Sequence, residues 1–392
     1  MPMLMRGRFG TNRIHTESKH EANPTASCEK ATRRLCWLFM GLDLVFCLAC
    51  GGSNPQPAPT TSDTMAGSRN QLTWPFSQKS IWNQPIGSGA VYVAAGFTPA
   101  SNFSPDEDWW IITSSSDPTV DVYNPHDWSQ RCGGTVWNST THFPVSLLVP
   151  DAQPPNTPNY ASAILQPDGR TIQQYEPTAR CTAGGSLFGY QAATVDIYGD
   201  GTYGGHFGSG LSSIGGTIRV GELRPSSGPI HHALKLEAWA QTYYYYSSTR
   251  PGYRWPADEA DDYAASQYHG TNPALTEGSL LAIPPSVNIS SLGLLTDAGR
   301  KIAQALQDYG GYIVDDTAWD DFAIATEINP TDSVRAEFLA DYGYHIDDGS
   351  GTAFFGDINT IFGALQVVDN NGPTSVGGGG IPLVPLAPAL SQ

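Results

Sequence analysis

Glu222 and His232 are the residues of this 392-residue chain whose types and spacing point most directly to proton-transfer chemistry. They lie in two alternating runs, 217–223 and 230–239, joined by a Pro/Ser/Gly turn, a pattern that predicts a β-hairpin. Side chains alternate along a strand, so Ile218, Val220 and Glu222 share one face, and His232, Leu234, Leu236 and Ala238 share another. If both apolar faces meet one core, Val220 lies opposite Leu234, Ile218 opposite Leu236 and Glu222 opposite His232. A carboxylate and an imidazole so paired at the core's edge shift each other's proton affinity, as acid–base catalysis requires. The same pairing also serves as a plain structural ion pair.

Further candidates flank this pair. A glycine-dense loop, 196–216, carries Asp196, Asp200 and His206. Glycine at that density signals tight turns or close backbone approach, because glycine alone enters positive-φ regions cheaply. An apolar strand predicted at 312–316 ends in Asp315 and Asp316, a position suited to catalysis or to capping a turn. Hydrolysis of a glycoside needs two carboxyl groups, one as acid and one as base or nucleophile. Glu222 fills the first role, with Asp196, Asp200 or Asp316 as its partner. β-Elimination of a uronate instead needs a base, from His232, His206 or a tyrosine, and a cation such as Arg219 to neutralise the substrate carboxyl.

The elements that must hold these groups read as mainly β. Forty-two glycines, 30 prolines and only 15% charged residues describe a loop-rich β protein. Short strands are predicted at 119–123, 135–137, 145–149, 163–165, 171–175 and 278–284, and residues 104–113 run from an acidic turn into an apolar strand. Pro167-Asp168-Gly169 is a hairpin-type turn. A helix is predicted over 296–310, with Thr296 as N-cap and Gly310 at its end, and shorter helices over 333–342 and 357–364. The fold expected is a jelly-roll-like β-sandwich with a few short peripheral helices. Trp74, Phe76, Ile81 and Trp82 cover a core edge. Tyr243 to Tyr246, predicted extended, together with Tyr253, Trp255 and Trp319, supply rings suited to stacking on sugars.

The first 50 residues differ from the rest. Arg33 and Arg34 precede an apolar stretch, 35–49, which ends in Leu48-Ala49-Cys50 before Gly51-Gly52-Ser53. This is the form of an export signal, too short for a comfortable transmembrane helix, with Cys50 placed as a lipidated cysteine. Residues 51–70 read as a flexible tether, and 71–392 as a single β-rich domain. If Cys50 carries lipid, the export compartment favours a Cys132–Cys181 disulfide, which stabilises by about 3–4 kcal/mol. Residues 1–50 hold 7 of the 20 basic residues and 4 of the 37 acidic ones, so the remainder is more acidic than the net charge of −17 implies. Such a surface disfavours nucleic acid and anionic lipid as partners. The membrane enters only through the N-terminal lipid anchor, and the location expected is the cell surface or periplasm. No feature sets an oligomeric state.

The segments GGTIRVGEL, PIHHALKLEAW, YRWPADEADDYA, ALQDYGGYIVDD and VVDNNGP together resemble a family of exported bacterial proteins that carries no assigned activity. Arg219-Val220-Gly221-Glu222-Leu223 also resembles the Arg-x-Glu-Leu strand motif of jelly-roll polysaccharide lyases of the alginate-lyase type. One extra residue separates Arg from Glu here, which places them on opposite faces, and the Gln-x-His partner motif of those lyases is not evident. No nucleotide, zinc-protease or Cys-x-x-Cys motif occurs. No cofactor is expected; calcium is the one ion suggested, by Asp196 to Gly201, whose spacing is not that of an EF-hand. The functional expectation is an exported enzyme that hydrolyses a polysaccharide. A polysaccharide lyase and a non-catalytic glycan-binding lipoprotein are the alternatives.

Overall fold

The computed structural model describes residues 63–153 and 157–391, so the predicted export segment, Cys50 and the first part of the predicted tether lie outside the described residues. The strands in chain order are β1 (Ser68–Arg69), β2 (Tyr92–Ala94), β3 (Asn102–Ile112), β4 (Thr119–Tyr123), β5 (Trp137–His142), β6 (Ser162–Leu165), β7 (Thr171–Ala179), β8 (Leu187–Gln191), β9 (Val195–Asp196), β10 (Tyr203–His206), β11 (Leu234–Ala238), β12 (Leu280–Ala282), β13 (Gly311–Asp316), β14 (Asp321–Ile328), β15 (Gln366–Val368) and β16 (Ala389–Leu390). The helices are α1 (Ala240–Tyr243), α2 (Ala264–Gln267), α3 (Asp297–Asp308), α4 (Val334–Tyr342) and α5 (Ala353–Ala364). The protein is mainly β, with a 13-stranded mixed sheet and a few short helices, in keeping with a sandwich-like architecture.

The centre of the sheet runs β12-β13-β11-β14-β3-β6-β7-β8. β13 pairs parallel to β11, β14 parallel to β3, and β3 parallel to β6. Both faces are covered. One packs Leu234, Leu236, Ile313 and Ile324 against Ile302 and Leu306 of α3, Phe338 of α4 and Ile358 of α5. The other packs Trp110, Tyr312 and Val314 against Trp82, Phe76 and residues of the glycine loop. A parallel sheet requires such double cover, because its crossover connections lie on its faces.

α3 begins as its sequence dictates. Thr296 Oγ1 accepts from Gly299 N at 2.9 Å, and Asp357 of α5 accepts from Leu295 N and Thr296 N, both at 2.7 Å. A carboxylate at a helix N-terminus satisfies its unpaired donors and suits its dipole. Gly310 turns the chain with φ at 76° into β13.

The hairpin expected from residues 217–239 does not form. β11 pairs with β13 and β14, while Ile218 bridges Thr326 of β14 in parallel. The turn between the two runs is real, but partners distant in sequence win the strand. Tyr243–Tyr246 is not an extended aromatic strip either: α1 closes over 240–243, and Tyr244 is buried, its hydroxyl accepting from Ala238 N and donating to the Asp315 carbonyl. Residues 145–149 form a turn in place of a strand, tied through Val149 to Arg180. The ordered body reaches back into the predicted tether, since β1 pairs in parallel with β16 near the C-terminus. Among the described residues no helix is long and apolar enough to cross a membrane. Cys132 and Cys181 are bonded, closing a 49-residue separation.

Candidate functional site

Two strands that flank β14 carry charge inside the molecule. β3 presents Asp106 and Asp108 on one face, and β11 presents Lys235 and Glu237 on the same side of the sheet. On β14, the residues between them are Ala323, in register with Glu237, and Ala325, in register with Asp106. Methyl groups there leave the space that the longer side chains need. Lys235 spans the gap of about 10 Å between next-nearest strands and donates to Asp108 Oδ2 at 2.6 Å. It also donates to the Ser212 carbonyl at 3.0 Å, and its ammonium lies 2.8 Å from His206 Nε2. Asp108 Oδ1 lies 3.1 Å from that same nitrogen, and Thr217 Oγ1 donates to Oδ2 at 2.7 Å. Lys235, Asp108 and His206 have no solvent exposure. Burial would raise the Asp108 carboxyl, but Lys235 and His206 beside it hold it below its ordinary value.

The loop expected to make close approaches does so here. A side chain at Gly208 would meet Asp315 Oδ1 at 2.6 Å, and one at Gly216 would meet Trp82 at 2.6 Å and Lys235 Cγ at 3.0 Å. The loop backbone therefore lies directly on the charged side chains, and Phe207 N donates to Glu176 Oε2 at 2.7 Å.

Around this core stand more carboxyl groups than cations. Glu237 is hydrogen-bonded to Asp106 and is in register with Asp315 across the β11–β13 pair. Burial, then the charge on Asp106, pushes Glu237 well above the usual carboxylate range. Burial is also the main cause that raises Glu176, Asp315 and Asp106. Asp106 is the partly exposed member of the set, so the cluster meets solvent there. Close by, Tyr268 Oη lies 2.7 Å from Asp261 Oδ2 and 3.1 Å from Glu277 Oε1, and burial raises Asp261 to about 7. Phe207, Tyr190 and Trp128 form a chain of partly exposed rings with centroids 6.5 Å apart, beginning at the residue that holds Glu176.

The structure brings Glu222 and His232 together, by a route other than a hairpin. Glu222 Oε2 lies 3.1 Å from His232 Nε2 and accepts from Arg219 N at 2.7 Å. Burial opposes both charges, yet the pairing lowers Glu222 and raises His232, the signature of a stable ion pair. His232 lines a small pocket with Trp74, Phe76, Trp82, Asn83 and Arg219. The same pocket is lined by Thr217, whose hydroxyl holds Asp108, but neither Glu222 nor His232 bonds to a member of the carboxyl cluster.

The remaining candidates are dispersed. Arg219 donates to Glu327 at 2.6 Å and is buried. Asp196 pairs with Arg170 and accepts from Tyr198 N, and Asp200 accepts from Thr202 N, so both close local turns. Asp316 accepts from Ala240 N and Ala318 N at 2.8 Å and from Tyr263 Oη at 3.2 Å. Tyr253 bridges to Glu277, Trp255 packs on the core below the glycine loop, and Trp319 is exposed. Of the residues the sequence singles out, His206 and Asp315 belong to the carboxyl cluster. Asp106, Asp108, Glu176, Lys235 and Glu237 were not singled out. Their signal was charge at alternate positions within apolar runs: Asp106-x-Asp108-x-Trp110 and Leu234-Lys235-Leu236-Glu237-Ala238. No protein-family model, curated protein or solved structure matches the chain.

Proposed function

We propose that this protein is an exported enzyme that hydrolyses a polysaccharide through carboxyl acid–base chemistry, with Glu237 and Asp106 as the reacting pair. The reading is supported by the placement of two carboxyl groups on one side of the sheet, Glu237 beside Ala323 and the partly exposed Asp106 beside Ala325, close enough to shift each other's proton affinity. Two carboxyl groups bond to each other only if one holds a proton. Glu237, the more deeply buried, is the proton carrier, and Asp106 is the carboxylate. When a glycan enters, the Glu237 proton passes to the leaving glycosidic oxygen as the C–O bond breaks. For this the sugar must enter between the two groups and part them to about 6.5–9.5 Å, and Asp106, released from its partner, then takes a proton from water attacking the opposite face. Phe207, Tyr190 and Trp128 supply amphipathic ring faces for neighbouring sugars.

A neutral glycan fits better than a polyuronate. The cluster is rich in carboxyl groups, and Arg219, the cation an elimination would use, is engaged by Glu327. The lipid anchor at Cys50 would keep the enzyme at the cell envelope, where such polymers are met.

The test is a screen of neutral and uronate polysaccharides read for new reducing ends and for absorbance at about 235 nm, the region of the unsaturated sugar that β-elimination forms. Reducing ends without absorbance, lost about 10²–10⁴-fold in Glu237→Gln and Asp106→Asn, support the reading. Absorbance would mean elimination. Retention on immobilised glycan with neither signal would make the protein a binding module.

A further inference from the structure

Two buried polar atoms of the carboxyl cluster, one on His206 and one on Glu176, have no hydrogen-bond partner. His206, Glu176 and Asp315 are 0%, 1% and 9% exposed. Each offers one ligand atom, and these atoms all lie within 4.8 Å of one another. His206 Nδ1 and Glu176 Oε1 have no hydrogen-bond partner. The other atoms of both groups are already held: Glu176 Oε2 by Phe207 N, and His206 Nε2 beside Asp108 and Lys235.

We propose that His206 Nδ1, Glu176 and Asp315 form a binding site for a divalent transition-metal cation, with Zn2+ the best match. Three features support this beyond the acidity of the cluster. First, His206 Nε2 is already engaged, at 3.1 Å from Asp108 Oδ1 and 2.8 Å from Lys235 Nζ, so Nδ1 is the ring nitrogen left without a partner. Metal-binding histidines are likewise held in place through the ring nitrogen that does not take the metal. Second, the backing carboxylate is itself fixed, by Lys235 at 2.6 Å and Thr217 at 2.7 Å, so the ring is oriented before any ion arrives. Third, Asp106, Asp108, Glu176, Glu237 and Asp315 outnumber the cationic groups beside them, and a buried excess of negative charge calls for protons or a cation.

One imidazole and two carboxylates suit Zn2+ or Mn2+ better than Ca2+, which prefers six to eight oxygens. At metal–ligand distances of about 2.1 Å, ligand atoms stand roughly 3–4 Å apart, a small contraction from the present spacing. The site stands independently of the hydrolase reading, since nothing in its test depends on turnover.

The experiment uses the full-length protein stripped with EDTA and titrated with Zn2+ alone in a calorimeter, with Mn2+ and Ca2+ in parallel and the thermal midpoint followed. One Zn2+ per chain, a midpoint raised by at least about 5 °C, and affinity at least 100-fold weaker in both Glu176→Gln and Asp315→Asn are expected. These near-isosteric variants keep the fold where His206→Ala risks it, and circular dichroism verifies that they remain folded. Absence of binding to the folded wild type would overturn the proposal. So would binding that survives both variants at unchanged stoichiometry, because the ion would then sit elsewhere.

Discussion

Lys235 and Asp108 form a 2.6 Å ion pair without solvent contact, reaching across β14, which sets Ala325 beside Asp106 and Glu327 beside Asp108. The pair joins β11 to β3 from above, while β14 joins them through the backbone. It also anchors the glycine loop, because Lys235 donates to the Ser212 carbonyl.

Breaking that pair on one side leaves a buried charge uncompensated. Lys235→Met is expected to cost about 3–5 kcal/mol. The double variant Lys235→Met/Asp108→Asn is expected to recover a large part of the loss. Urea unfolding of the four proteins of this cycle yields the coupling directly; additive effects would show that the two side chains are held independently.

Glu222→Gln removes the charged partner of His232 and weakens the acceptor for Arg219 N. A stability loss of about 1–2 kcal/mol with turnover retained is expected from the structure. The sequence taken alone expects the reverse, abolished turnover at an unchanged melting temperature. Parallel activity and melting assays of this one variant decide between the two roles.

Acid should stabilise the metal-free protein over part of its range. Burial raises Glu107 and Asp261 to about 7. In the unfolded chain such groups release their protons near pH 4. Between about pH 4 and 7 the folded state therefore binds more protons, so this contribution is complete below pH 4 and is lost as pH rises through 7. Asp108 and Glu222, whose values are lowered, act oppositely and withdraw stability only in stronger acid. Melting temperatures in EDTA should peak on the acid side of neutrality and fall towards pH 8. A curve flat or rising from pH 5 to 8 would contradict this account.

Reduction of Cys132–Cys181 should lower stability by about 3–4 kcal/mol, from the loop of 49 residues it closes. The arginines beside it, Arg131 and Arg180, are buried and bonded to carbonyls, which limits how far the segment can open. Denaturant midpoints with and without reductant measure the effect.

Local signals in the sequence located local structure. Thr296 and Gly310 bound α3 because capping is a property of a few adjacent residues. The 119–123 strand and the Pro167-Asp168-Gly169 turn between β6 and β7 follow for the same reason. The carboxyl cluster was harder to read, because alternation was taken to separate a core face from a wet one. In a strand covered on both sides that distinction disappears. Leu234, Leu236 and Ala238 face the helices, and Lys235 and Glu237 are equally enclosed by the glycine loop. Asp106 and Asp108 looked like a turn before an apolar strand, yet they belong to β3, whose parallel partners arrive more than 50 residues later in sequence. The hairpin failed likewise: nothing within 217–239 announces that β13 and β14 will pair with β11.

The clasp of β1 on β16 has a mechanical meaning. Its strands run parallel, and Arg69 ties the carbonyls of Trp74, Pro75, Phe76 and Pro388 together from one side chain. A pull that arrives through the residues before Asp63, directed along β1, loads these bonds side by side in shear. The pairing with β16 and the Arg69–Pro388 bond then share that load, so tension along β1 is passed on to the C-terminal strand.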